Sequence, residues 1–489
     1  MKLSVKDINL SSGGPLIVVL HEDTAKKLNL YPTDRVTISR LKIKKKINCV
    51  LDISTKGIKK NEIGMFEEVF KKLNVKKGQS INVERADKPL SIQYIKKKLE
   101  GNPLNKEELY SIVKDITNNE FSEPELTYFV SGCYSQGLSL QETVHLTNAI
   151  VEFGDKLKFE DKIILDKHSI GGVPANRTTM IIVPILASLG YKVPKTSSRA
   201  ITSASGTADT MEVLAPVKLS KQKIIQIVNK VGACIAWGGA INLAGADDKL
   251  IKIRHPLSID PTGMLLASIM AKKKAAGATH VLIDIPYGLE AKITDIKEAK
   301  ELKKAFENIG KLLKMKIKVI LTDGSNPIGN GVGPALEAAD VFSVLKGGGP
   351  NDLREKSIYM ATEMLKLARV KNAKTKVIEV LESGKAYKKL REIIYAQGGL
   401  KRPIIPKAKY YFNVKAIRDG KVKEIHNKDI ARIARLAGSP DDKTAGLYIR
   451  VDIHEEIKEG EDLFTIYSKS KKNIDTVKRR LKLMSPIIY

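Results

Sequence analysis

Two stretches near the start of the chain, Arg35-Val-Thr-Ile-Ser-Arg40 and Ile47-Asn-Cys-Val-Leu-Asp-Ile53, place apolar side chains at every second position and predict half-buried strands. Gly13-Gly14 and Tyr31-Pro32 punctuate them, so residues 1–84 read as a β-rich unit with no group suited to catalysis. Its lone His21 has no Cys or His nearby and reads as surface or structural. From about residue 87 the apolar period becomes that of a helix. Asn105-x-x-Glu108, Ser122-x-x-Glu125 and Ser139-x-x-Glu142 are helix starts, each able to satisfy orphan N–H groups reciprocally. Leu140, Val144, Leu146 and Ile150 then line one face. A small helical domain over 85–155 is expected, with a returning helical segment near 245–275.

After Gly154 the texture changes again. The runs Lys162-Ile-Ile-Leu-Asp166, Val281-Leu-Ile-Asp-Ile285 and Lys316-Ile-Lys-Val-Ile-Leu-Thr322 alternate with helical stretches and end in Gly-rich or hydroxyl-rich loops. This is the α/β pattern, in which ligands gather at the carboxyl ends of strands. It covers 156–402. Thr444-Ala-Gly-Leu-Tyr-Ile-Arg450 and Asp462-Leu-Phe-Thr-Ile466 restore short strands, so 403–489 reads as a separate α+β domain. The expected class is thus a multidomain α/β protein.

Composition narrows the function. No run approaches the ~18–20 apolar residues of a membrane span, and the first residues carry no apolar signal core. Cys49, Cys133 and Cys234 form no CxxC pair, which argues against a disulfide framework or cysteine-rich zinc site. A cytoplasmic, membrane-free setting is expected. Lys and Arg outnumber Asp and Glu 84 to 55, a net charge of +29. That fits a phosphorylated substrate, or simply a lysine-rich, solvated surface. Runs such as Lys42-Ile-Lys-Lys-Lys46 and Lys469-Ser-Lys-Lys472 are short and dispersed, aromatics are only 5%, and no basic–aromatic interleaving suggests nucleic acid. No Walker A, HExxH or GxSxG sequence occurs, and neither metal nor cofactor is expected.

Asp166-Lys-His-Ser-Ile-Gly-Gly-Val173 follows a strand directly: two glycines free the backbone to close on an anion, and Lys167 and Ser169 add charge and a hydroxyl. Pro194-Lys-Thr-Ser-Ser-Arg-Ala-Ile-Thr-Ser-Ala-Ser-Gly-Thr207 packs seven hydroxyls and one Arg into a single strand exit, a second anion site. Arg254-His-Pro-Leu-Ser-Ile-Asp260 precedes Ser268-Ile-Met-Ala-Lys-Lys273, where Ser268 and Lys272 share a helical face. Gly329-Asn-Gly-Val-Gly333 is spaced GxGxG and does not match a dinucleotide loop.

From about residue 88 to the C-terminus these segments resemble the thymidine/pyrimidine-nucleoside phosphorylase family. The motifs are Lys167-His-Ser-x-Gly-Gly172, Ser268-Ile-Met-Ala-Lys-Lys273, Thr322-Asp-Gly-x-x-Pro-Ile-Gly329 with Ala335-Leu-Glu337, and Ala445-Gly446 with Gly460-x-x-Leu463. The resemblance implies a helical domain, a mixed-sheet α/β domain and a C-terminal α+β domain, in a homodimer or larger homo-oligomer that breaks a nucleoside glycosidic bond with inorganic phosphate. By motif it places Lys167, Ser169, Thr178, Ser197 and Thr207 on the phosphate, and His168, Arg254, Ser268 and Lys272 on the base. The family's Tyr-x-x-Arg stands here as Ile251-Lys-Ile-Arg254, its Gly- and His-containing loop as Ser198-Arg-Ala-Ile-Thr-Ser203, and an extra domain precedes the shared part. These departures are similar to the branch acting on AMP. That branch would have Gly172, Ser198, Arg199, Ala200, Ile201, Thr202, Ser203, Thr207, Ser268 and Lys292 bind the nucleotide, and Asp260 donate the proton. It forms a free base and ribose 1,5-bisphosphate; the alternative is action on thymidine or uridine. Asp260 suits the acid role if burial or a like charge raises its pKa. The extra domain, 1–84, is expected to serve assembly.

Overall fold

The period-two segments at the start of the chain close on themselves. In a computed structural model describing residues 1–40, 45–200, 203–257 and 259–489, strands Lys2–Asp7, Ile17–His21, Arg35–Arg40, Lys46–Ser54, Glu62–Met65 and Ser80–Arg85 form a barrel. The strand order is first, fifth, second, fourth, third, sixth, and closure leaves no exposed edge. Val18, Leu20, Val36, Ile38, Leu51, Ile63, Ile81 and Val83 fill it, because alternation turns each strand's apolar set to one side. His21 is structural: its Nδ1 accepts the Asp23 N–H at 3.1 Å and caps helix Glu22–Lys27. The Lys42–Lys46 run lies mostly outside the described residues.

The chain divides into two units, residues 1–154 with 244–268 and residues 155–243 with 269–489. In the first, helices Ser91–Leu99, Lys106–Asn118, Glu123–Gln136 and Leu140–Glu152 follow the barrel, and Gly245–Arg254 returns to them. Asn105 accepts the Glu108 N–H at 2.9 Å while Glu108 accepts the Asn105 N–H at 2.8 Å. Ser139 and Glu142 repeat the exchange at 3.2 and 2.9 Å. At Ser122 the Glu125 carboxylate takes the backbone N–H at 2.9 Å and also pairs with the buried Arg35 of the barrel. Arg35 donates further to the Glu120 carbonyl at 2.8 Å, fastening barrel to bundle.

In the second unit, strands Lys316–Asp323, His280–Tyr287 and Leu165–Ser169 are parallel neighbours, as are Val193–Ser197 and Ala233–Trp237. A parallel bridge between Ile164 and Lys192 joins the two groups. The expected mixed sheet is therefore corrected: all these pairs are parallel, since each strand returns to the same edge through a helical crossover. Helix Thr178–Ser188 is buried along its length, packed among Asn351–Leu367 and Lys385–Ala396. A second, antiparallel sheet contains Gly446–Ile449, Asp462–Ser468 and Tyr410–Lys415, covered by helices Asn427–Ala437 and Lys471–Leu481. Its fourth strand, Gly331–Val332, comes from the GxGxG run. Gly333 has φ +122° and a Cβ there would strike the Ala445 carbonyl, so this run serves close backbone approach.

Candidate active site

Parallel pairing sends Leu165–Ser169 and Val193–Ser197 out at the same edge of the sheet, so the two expected anion loops start side by side. Lys167 is buried; its Nζ donates to Thr178 Oγ1 at 3.0 Å and lies 3.9 Å from Asp284 Oδ2. Burial pushes its pKa down to about 8, against the opposing pull of Asp284. Thr178 is the first residue of an eleven-residue helix, whose N-terminal N–H groups favour negative charge. Ser169 donates to Asp284 Oδ2 at 2.9 Å, and Thr322 donates to Asp284 Oδ1 at 2.6 Å. Lys167, Ser169 and Thr178 are thus brought together around a carboxylate that motif reasoning missed. Its signal was present: Asp284 interrupts the apolar run Val281–Ile285 and stands opposite Ser169 in register.

His168 is partly exposed, and desolvation with the positive charge of Lys273, Lys195, Lys167 and Lys272 holds its pKa well below the usual imidazole value. It is a neutral ring, suited to hydrogen bonding with a neutral base. Behind it the fully buried Asp166 pairs with Lys273 at 2.6 Å and Lys195 at 3.3 Å. Burial drives Lys195 downward even so. Lys272, the expected base contact, is partly exposed, whereas Lys273 beside it is buried on Asp166. Gly172 has φ +95° and a Cβ there would collide with the Lys292 backbone nitrogen, so these two expected residues do meet.

The serine-rich loop is tied to the first by Arg177. Its guanidinium donates to the Ser205 carbonyl and to Glu337, and Glu337 also accepts from Thr210 at 2.5 Å. Ser197 Oγ donates to the Ser198 carbonyl at 3.3 Å, Ser203 Oγ to the Ser205 carbonyl at 2.8 Å, and Thr207 opens the short helix Thr207–Glu212. Arg199 requires a correction. Its guanidinium is held by Asp209 at 2.9 Å and Glu212 at 2.6 Å and lies 5.0 Å over the Trp237 ring. That charge is already partnered, so the Arg199 side chain is a strut of the loop and not a free donor to a substrate. The Ala200 N–H is likewise taken, by Asp209. Ile201 and Thr202 lie outside the described residues.

In the first unit Arg254, Asp260, Asp247 and Ser268 form one cluster. Arg254 donates to Asp260 at 2.7 Å and lies 3.6 Å from Asp247, which accepts from Ser268 Oγ at 2.6 Å. Asp260 is 34% exposed and ion-paired to Arg254. Asp247 was also missed by motif reasoning; it orients both Arg254 and Ser268.

Comparison with known proteins supplies the family. The description "Glycosyl transferase family, helical bundle domain" fits residues 92–154, "Glycosyl transferase family, a/b domain" fits 161–387, and "Pyrimidine nucleoside phosphorylase C-terminal domain" fits 421–487. An AMP phosphorylase of Thermofilum pendens is 41% identical over 491 residues, spanning 100% of this chain and 95% of its own. An AMP phosphorylase of Thermococcus kodakarensis is 44% identical, spanning 97% of this chain and 95% of its own. The chain belongs to the AMP phosphorylase branch of the pyrimidine-nucleoside phosphorylase family. Members of that branch align over the barrel as well, which precedes all three family descriptions. An anthranilate phosphoribosyltransferase of Thermus thermophilus is 19% identical with TM-score 0.51, covering 62% of this chain and 98% of its own, and shares the fold. Among the described residues no helix is long and apolar enough to cross a membrane.

Proposed function

We propose that this AMP phosphorylase family member cleaves AMP with inorganic phosphate, giving adenine and ribose 1,5-bisphosphate. The observation that carries the reading is the pair of hydroxyl-rich strand exits joined by Arg177, two loops of anion-binding character where a nucleoside enzyme needs one. Inorganic phosphate rests on Lys167, Ser169 and Thr178, with Ser197 and Thr207 completing its site. The 5′-phosphate rests on Ser198, Ser203 and the loop backbone, with Gly172 and Lys292 beside it. His168 and Lys272 of the second unit are assigned to the base, as are Arg254 and Ser268 of the first.

The chemistry follows from charge. As the C1′–N bond breaks, its electron pair leaves with the base and the sugar becomes cationic. The bound phosphate dianion stabilises that cation and one of its oxygens bonds to C1′. The departing base needs a proton; Asp260, its assigned donor, is ion-paired to Arg254 and gives one only after taking it up itself, from solvent or from the phosphate. The neutral His168 orients the base without repelling the developing sugar cation. Homo-oligomerisation through the barrel and work in the cytoplasm in nucleotide salvage complete the reading. The test is base release from a panel of nucleoside monophosphates and nucleosides, with and without phosphate; cleavage of thymidine faster than AMP would support the nucleoside alternative.

A further inference from the structure

The serine-rich loop is closed by groups outside it. Asp209, 1% exposed, accepts the Ala200 N–H at 2.7 Å and the Gly206 N–H at 3.0 Å on one oxygen, stapling both ends of the loop. Its other oxygen faces Arg199 at 2.9 Å and Lys443 at 3.5 Å. Glu212, one turn further, takes Arg199 at 2.6 Å and Lys443 at 3.1 Å. Lys443 belongs to the segment leading into strand Gly446–Ile449, and its own carbonyl is fixed by the Ala335 N–H at 2.9 Å. Four residues earlier, Ser439 Oγ donates to the Ala204 carbonyl at 2.7 Å. Two carboxylates thus stand against two cations, one of which is contributed from far along the chain. With Arg199 alone the cluster would carry an uncompensated negative charge beside the loop, and a phosphate dianion would meet it.

We propose that Lys443 and Ser439 are positioning residues through which the C-terminal segment shapes the two limbs of the loop, Ser198–Ala200 and Ser203–Gly206, and sets their preference for a nucleoside 5′-monophosphate over the nucleoside. This rests on the reading of that loop as the 5′-phosphate site. Lys443 acts by completing the charge balance around Asp209 and Glu212, and Ser439 by holding the loop's far limb.

The experiment uses the full-length chain with AMP, adenosine and inorganic phosphate as probes. Lys443 is 28% exposed, so Lys443→Met is compatible with folding, which circular dichroism checks. The KM for AMP is expected to rise about tenfold, within the range of coupling seen in charged networks. The KM for phosphate and kcat/KM for adenosine should stay within about twofold, a selectivity that general loosening would not produce. Lys443→Arg should restore AMP use, and so should Glu212→Gln in the Lys443→Met background, since it removes the unbalanced charge. An unchanged AMP-to-adenosine ratio in Lys443→Met, an equal loss on all three parameters, or a double variant as poor as the single would each overturn the proposal. Failure of the parent protein to cleave AMP would instead overturn the function on which it rests.

Discussion

Asp284→Asn removes one negative charge at nearly constant shape, and its consequence reaches Lys167. The carboxylate lies 3.9 Å from the lysine nitrogen. At an effective dielectric near 20 such a pair is worth about 4 kcal/mol, or about three pKa units at roughly 1.4 kcal/mol each. Lys167 already sits at about 8 because it is buried. Loss of its counter-ion takes it below neutrality, so the lysine proposed to hold phosphate is charged at pH 7 in the parent and largely neutral in the variant. The Asn carbonyl also accepts from only one of Ser169 and Thr322, which now share both carboxylate oxygens. Initial rates at saturating AMP with varied phosphate, across pH 6 to 9, give the readout. The parent KM for phosphate should climb as pH passes about 8. With the variant's lysine about three units lower, KM should already be climbing at pH 6 and stand about a hundredfold or more above the parent near pH 7.5. The ionisation of phosphate itself is common to both proteins and cancels in the ratio. A ratio constant across the whole pH range would refute the electrostatic coupling between Asp284 and Lys167.

Lys167→Met should abolish phosphate saturation, yet leave the protein as stable or more so near neutrality. The folded Lys167 is depressed from 10.5 to about 8, so the unfolded state holds more protons between those values and this group's contribution rises with pH there; thermal denaturation against pH would show the parent gaining and the variant not. Asp260→Asn should lower kcat by about 10²–10⁴, and near-normal turnover at every pH would assign the proton to another group. Ser198→Ala with Ser203→Ala should reduce kcat/KM for AMP by roughly 10²-fold, since charge-assisted hydrogen bonds are worth about 1.5–3 kcal/mol each, with adenosine little changed. Deleting residues 1–84 should reduce particle size in sedimentation and lower thermal stability, because Glu125 loses its Arg35 partner; an unchanged sedimentation profile would remove the barrel's assembly role.

Local features were the legible ones. Helix starts at Asn105 and Ser139 were readable because a capping box is written within four residues, and the strands Arg35–Arg40 and Lys46–Ser54 because alternation is a nearest-neighbour property. Barrel closure and the wholly parallel pairing of the central strands were not, since pairing partners are chosen across tens of residues. In the site, Lys167 and Ser169 lie within one short segment and could be read from it, whereas Thr178 came only with the family resemblance. Asp284 and Asp247 were missed because a single Asp in an apolar strand or on a helix announces no partner until the fold supplies Ser169 or Arg254. Arg199 failed for a related reason: a cation in a hydroxyl-rich loop looks available until Asp209 and Glu212 of the next helix are seen to hold it.

The most direct measurement incubates the protein with AMP, with and without inorganic phosphate, and follows adenine release together with the sugar product by chromatography. The account predicts adenine and ribose 1,5-bisphosphate in equal amounts, only when phosphate is present, and faster than base release from thymidine or uridine. Adenine released at the same rate without phosphate, or faster cleavage of the nucleosides than of AMP, would contradict it.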